Sequence, residues 1–339
     1  MFEGDADERL GQSVALSGST AVVGTNANRA RVFVRNASEW SEQQTLLPPQ
    51  GIVPNSFGAT VAIDGDTIVV GDPNASEEGT RRGRAYVFMR EGSAWILQQT
   101  LWIPESNDYA SVGRDVFVHG TQIIIAGWSA FHVFDKINGT WELGQSVETG
   151  SHGDMAFDGT TIAFSTGSTG VVVYERSGVL PNEWLFAQTL LPSNDLWRSW
   201  GWGESISVRG DTMVFSGRYN LARRAFVFVR DSGVWTEHQR LISKTEFIGK
   251  DFGCGTAVEG DLVAVGSCVD YQRFTPGNVT LFRRNGDLWV EGTRLTGGES
   301  AAHFDYFGEE IALEWPTLVV GAPRRSPQPA MGAFFFAAP

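Results

Sequence analysis

Phe57-Gly58-Ala59-Thr60-Val61-Ala62-Ile63-Asp64-Gly65-Asp66-Thr67-Ile68-Val69-Val70-Gly71-Asp72-Pro73 reads as two short apolar strands around a polar turn. Asp64-Gly65-Asp66-Thr67 has the composition of a tight hairpin loop. Gly58 and Gly65 are seven residues apart, and the same interval separates Gly11 from Gly18, Gly113 from Gly120, Gly203 from Gly210 and Gly253 from Gly260. Two further copies are degenerate: His152 stands seven residues before Gly159, and Trp315 stands seven after Gly308. Six residues beyond the second position the side chain is always small: Gly24, Gly71, Ala126, Ser165, Ser216, Gly266 and Gly321.

Working outward, each of the seven copies continues into a β-rich run, such as Arg31-Val32-Phe33-Val34, Ala85-Tyr86-Val87-Phe88-Met89 and Ala333-Phe334-Phe335-Phe336. Six copies then reach a tryptophan: Trp40, Trp95, Trp141, Trp184, Trp235 and Trp289. Five of them carry Gln four residues later: Gln44, Gln99, Gln145, Gln188 and Gln239. One unit is therefore strand A, a glycine turn, strand B, a loop, strand C, a turn and strand D. Four antiparallel strands recurring every 39 to 55 residues predict an all-β, seven-bladed β-propeller of four-stranded antiparallel blades. A long β-sandwich or two stacked β-domains is the competing reading. The blades fall at about 10–49, 57–104, 112–148, 151–193, 202–243, 252–297 and 307–339, all in a single domain, 1–339. The last lacks a fourth strand, so it is three-stranded, closed by Met1-Phe2-Glu3, or completed by a longer parent chain with further domains. Strand A alternates large, small, large, as in Val61-Ala62-Ile63; Phe117 breaks the pattern and predicts a local shift. The repeated tryptophans are expected to pack between blades.

Gly is 40 of 339 residues, hydrophobic residues are 42% and charged residues 19%. That suits a packed, turn-rich protein and argues against disorder. A net charge of −13 argues against a nucleic-acid partner, which needs a basic surface. No apolar run approaches the length that crosses a bilayer, so no membrane insertion is expected, and the acidic opening Met1-Phe2-Glu3-Gly4-Asp5-Ala6-Asp7 is unlike a signal peptide.

The motifs resemble the FG-GAP repeat, the blade unit of integrin alpha-chain N-terminal propellers and of many extracellular proteins. Phe57-Gly58, Phe252-Gly253 and Phe307-Gly308 match its first half, and Gly321-Ala322-Pro323 its second. The resemblance implies a binding or adhesion module, extracellular or at the cell surface. Many such blades hold calcium in the A–B loop. Here Asp64-Gly65-Asp66 and Glu259-Gly260-Asp261 offer too few oxygens, so that site is not carried over and no cofactor is predicted; Glu3-Gly4-Asp5-Ala6-Asp7-Glu8 is the one other stretch where a metal is conceivable.

Chain direction puts the B–C and D–A connections at one end of every blade, and these are expected to be the long, variable loops that carry function. Candidate ligand contacts there are Trp128, Trp197, Trp200, Arg218, Arg223, Arg273 and His303. Tryptophan suits sugar stacking or a protein hot spot, and arginine suits carboxylates or acidic glycans. Trp102 and Trp315 also lie outside the repeat position. The expected partner is a protein or a glycan; a lectin with inter-blade sites and an enzyme with an axial site are the alternatives. Catalytic signatures are absent, and the five His scatter over five blades. Cys254 and Cys268 flank one hairpin and are placed for a disulfide. Sequons at Asn36, Asn74, Asn138 and Asn278, each expected at a turn or loop, agree with an oxidising, extracellular setting.

Overall fold

The glycine turns form where the heptad interval places them. Gly18, Gly65, Gly120, Gly210 and Gly260 have φ of 54 to 57°, a left-handed conformation that a two-residue hairpin requires and that a Cβ resists. The computed structural model describes residues 2–3, 8–51, 53–77, 80–103, 110–150, 152–166, 170–178, 182–193, 202–219, 222–243, 252–268, 277–298, 306–323 and 332–338. Among these residues every regular element longer than a turn is a strand.

The chain is a seven-bladed β-propeller, and its strands belong to two compact units, residues 1–151 with 331–333 and residues 152–330 with 334–339. In the first unit, β1 (Phe2–Glu3) precedes blade one, which is β2 (Ser13–Ser17), β3 (Thr20–Gly24), β4 (Ala30–Asn36) and β5 (Glu39–Leu46). Blade two is β6 (Thr60–Asp64), β7 (Thr67–Asp72), β10 (Arg84–Glu91) and β11 (Ala94–Leu101), with a small hairpin of β8 (Ser76–Glu77) and β9 (Thr80–Arg81) in its B–C loop. Blade three is β12 (Asp115–His119), β13 (Gln122–Ala126), β14 (Ala130–Ile137) and β15 (Thr140–Glu148).

In the second unit, blade four is β16 (Met155–Phe157), β17 (Thr161–Ser165), β18 (Val171–Arg176) and β19 (Trp184–Leu190). Blade five is β20 (Trp202–Arg209), β21 (Thr212–Tyr219), β22 (Ala222–Asp231) and β23 (Val234–Leu241). Blade six is β24 (Phe252–Glu259), β25 (Leu262–Ser267), β26 (Asn278–Asn285) and β27 (Leu288–Thr296). Blade seven takes three strands from the end of the sequence, β28 (Ile311–Glu314), β29 (Thr317–Ala322) and β30 (Gly332–Ala337), and its fourth is β1. Phe2 pairs with Ala333 and Glu3 with Gly332, and the Phe2 ring packs 4.5 Å from Phe33.

The small residue and the FG glycine turn out to be one joint. A Cβ on Gly24 would lie 2.1 Å from the Gly58 carbonyl oxygen of the next blade; a Cβ on Gly71 would lie 2.2 Å from Gly113 O, and one on Gly266 2.0 Å from Gly308 O. At these three joints the blades touch through main chain, and a larger residue would force them apart. The motif phenylalanine fills the space beside this joint: Phe57 is fully buried and packs 5.2 Å from Tyr86, and Phe307 packs 5.0 Å from Phe334.

The repeated glutamine is a second joint. Gln99 donates to Trp141 O at 2.7 Å and accepts from Trp141 N–H at 2.9 Å. Gln44 does the same with Trp95, Gln188 with Trp235 and Gln239 with Trp289. Each of these glutamines follows a one-residue bulge against its strand C, and a bulge re-aims the side chain that follows it. Trp95, Trp141, Trp235 and Trp289 are buried in clusters that include residues of the preceding blade, as the repeat predicted.

Two expectations need correction. Phe117 causes no shift: β12 pairs with β13 in unbroken register, with Phe117 opposite Ile124. In blade four it is the N–H of Gly153, not of His152, that donates to the small residue, Ser165 O, at 2.8 Å; the missing glycine is supplied one position later.

Candidate ligand-binding end of blades two and three

The D–A and B–C connections of blades two and three bring two aromatic–cation pairs to one end of the first unit. Trp102 directly follows β11 and is 46% exposed; Trp128 lies in the B–C turn of blade three and is 51% exposed. The guanidinium carbon of Arg114 lies 4.4 Å from the Trp128 ring centroid, and that of Arg84 lies 5.8 Å from Trp102. Backbone contacts join the two pairs. Gly83 bridges Val112, Val112 N–H donates to Arg82 O at 2.9 Å, and Trp128 N–H donates to Ala110 O at 3.0 Å. Gly113, next to Arg114, sits so close to Arg84 that its Cβ would meet Arg84 O at 2.2 Å. Arg81, on β9, is exposed at the same junction.

Three titratable groups underlie this surface, Asp72 and His132 buried and Asp115 partly so. Burial pushes Asp72 up to about 6, against backbone N–H donors of which Ser56, at 2.9 Å, is one. Asp72 thereby ties the D–A connection to the end of β7. Burial also pushes Asp115 up to about 6, opposed by Arg114, whose Nη1 lies 3.6 Å away. His132 is held down to about 4 by burial, with Nδ1 2.9 Å from Ser146 Oγ. At neutral pH both aspartates are therefore largely ionised and His132 is neutral. Asp72 is committed to backbone donors and Asp115 to Arg114. Among the described residues no group of three or more His, Cys, Asp or Glu is gathered that could hold a metal ion.

The opposite end of the same unit carries an open depression of about 470 Å³, lined by Ser17, Thr20, Arg35, Gln43, Asp66 and Arg90 among others. Its Arg90 donates to Asp66 at 2.9 Å and Thr20 at 2.8 Å, and stacks 4.3 Å from Trp95. That arrangement is a joint between blades one and two.

The FG-GAP repeat family matches residues 40–88, which run from Trp40 to the middle of β10. Seven phased blades extend the same unit over the described chain. The chain carries an FG-GAP repeat within a seven-bladed propeller. No curated protein matches it in sequence. A chain of the Mitotic Checkpoint Complex is similar in structure, with a TM-score of 0.62 at 10% identity, covering 96% of this chain and 88% of that one. Sqt1 of Saccharomyces cerevisiae gives 0.58 at 11%, covering 95% and 81%. A protein from Lactobacillus plantarum gives 0.58 at 12%, covering 86% of each. At such identities the likeness is one of fold.

Of the sequence-predicted contacts in this propeller, Trp128 lies at the exposed end described above. Trp197, Trp200, Arg273 and His303 lie outside the described residues. Arg218 and Arg223 are not in a loop: β21 and β22 run on past the expected loop, and the two residues face each other across the ladder. The B–C connections are accordingly not all long; in blade three only Gly127-Trp128-Ser129 separates β13 from β14. Cys254 and Cys268 form a disulfide with Cα atoms 6.0 Å apart. Asn36 and Asn138 are exposed and Asn74 is half-buried, whereas Asn278 begins β26 and is 4% exposed. Asn278 therefore lies in a strand and not at the turn or loop that was expected.

Arg84 and Arg114 were missed as site residues, although a signal existed. In the position after the first motif glycine the other blades have Gln12, Ala59, Gly153, Glu204, Cys254 and Glu309, and only blade three has a cation. A second missed repeat is the cation opposite each Trp across the C–D hairpin: Arg35, Arg90, Lys136, Arg176 and Arg230 all lie 4.3 to 5.7 Å from the ring centroid of their tryptophan.

Proposed function

We propose that this propeller is a non-catalytic binding module, acting outside the cell or on its surface. It grips a protein or glycan through the end that carries the B–C and D–A connections, and it needs no cofactor. The observation that carries this reading is the pairing of two half-exposed tryptophans with arginines on adjacent blades. Trp and Arg are the residues that dominate binding hot spots. The disulfide and the exposed sequons support an extracellular setting.

The test is a screen of the intact chain against glycan and cell-surface-protein arrays, repeated with Trp128→Ala and Trp102→Ala. Binding weakened tenfold or more with an unchanged circular dichroism spectrum is the expected result. Retention of full binding by the double variant, for every ligand found, rejects this end as the binding surface.

A further inference from the structure

We propose that the Arg84–Trp102 and Arg114–Trp128 pairs form one continuous site for an acidic polysaccharide. The tryptophan faces stack on sugar rings, and the guanidinium groups take the anionic oxygens, uronate carboxylate or sulfate ester. This deepens the binding-module reading and rests on it.

Among the described residues, the local charge runs against the charge of the whole chain. The protein carries −13, yet Arg81, Arg82, Arg84 and Arg114 crowd the junction of blades two and three. The carboxylates described there, Asp72 and Asp115, are shielded: Asp72 is fully buried, and Asp115 Oδ2 has no solvent access and lies against Arg114. Glu77 sits on the small hairpin of the same loop. On an acidic protein, a cationic, aromatic patch draws an anion toward it. Stacking of each arginine on its tryptophan fixes both side chains in advance, which lowers the entropy lost on binding.

The chemistry favours a saccharide over an acidic peptide because both tryptophans are left about half exposed. Carboxylates of a peptide would satisfy the arginines and leave the indoles without a partner, whereas a sugar ring offers an apolar face beside its anionic group. The pattern also fixes the number of sites. At the position of Trp102 other blades carry Leu47, Glu148, Leu191, Ile242 and Thr296, and only blade three has a cation after the motif glycine. The arrangement is thus a single site spanning two blades, suited to an extended chain of sugars, and not one small pocket repeated between blades.

Calorimetry on the intact chain at 50 and 200 mM NaCl decides the matter. The probes are polygalacturonate oligomers, sulfated chondroitin oligosaccharides, neutral dextran and poly-glutamate. Binding of at least one acidic saccharide, none of dextran, and tenfold or greater weakening by each of Arg114→Gln, Arg84→Gln and Trp128→Ala is expected. Trp128→Phe should restore part of the loss, which a merely structural role would not predict, and thermal melts verify that each variant folds. The uronate and sulfate arms identify the anion. Poly-glutamate binding as tightly as the saccharides, and unaffected by Trp128→Ala, overturns the proposal in favour of an acidic protein partner. Failure of every acidic saccharide also overturns it. If an array protein or neutral glycan still depends on Trp128, the binding-module reading survives that failure.

Discussion

Gln99 holds both backbone groups of Trp141 with a single amide, so Gln99→Ala removes two hydrogen bonds and leaves a buried N–H and C=O unsatisfied. A loss of about 1–3 kcal/mol is expected in urea denaturation. Glycines separate by the same logic. A Cβ on Gly71 meets main chain at 2.2 Å, while Gly92, at φ 62°, has nothing within 4 Å. Gly71→Ala should cost more than about 4 kcal/mol or abolish folding, and Gly92→Ala only about 1–2. Asp72 gives a signed pH dependence. Its folded pKa, about 6, exceeds the ordinary 3.8, so between these values the folded state holds more protons and stability falls as pH rises. His132, lowered to about 4, acts oppositely: its contribution grows as pH rises to about 6.5. Asp72→Asn removes the first effect alone. Its stability relative to wild type should rise by up to about 3 kcal/mol between pH 4 and 7, measured by chemical denaturation at each pH. The glutamines were visible as a repeat, but their partners were not, because each lies 42 to 51 residues away on another blade.

At the scale of elements, the hairpin count was legible because glycine must occupy the turn, whereas loop length was not. β21 and β22 extend where a loop was expected, and Arg218 and Arg223 moved from loop to ladder with them. The heptad interval specifies the A–B turn only, and nothing in the composition of a B–C connection says how far its strands run on. Closure of blade seven was open between alternatives for the same reason: a two-residue strand has no periodicity to detect. The disulfide of blade six cross-links residues 14 apart around one hairpin. A loop of that size confers about 3 kcal/mol in the chain-entropy account. Cys254→Ser with Cys268→Ser should lower stability by no more than that, since β24 and β25 are already paired; melts with and without reductant should converge in the variant.

For the whole molecule, a charge of −13 means self-repulsion that salt screens. Raising NaCl from 50 to 500 mM should raise the melting temperature by a few degrees, as read by calorimetry; no change would mean the excess charge is already neutralised within the fold. Fold class was the most legible property, since seven phased copies repeat one constraint. The ligand end was the least legible, because it depends on the copies differing.

The glycine joints have an evolutionary corollary. Where Gly24 meets Gly58 and Gly71 meets Gly113, spacing is gauged by main chain, and such a gauge is indifferent to side-chain drift. A lineage can rewrite the loops at one end, and so exchange what is recognised, without recalibrating the scaffold.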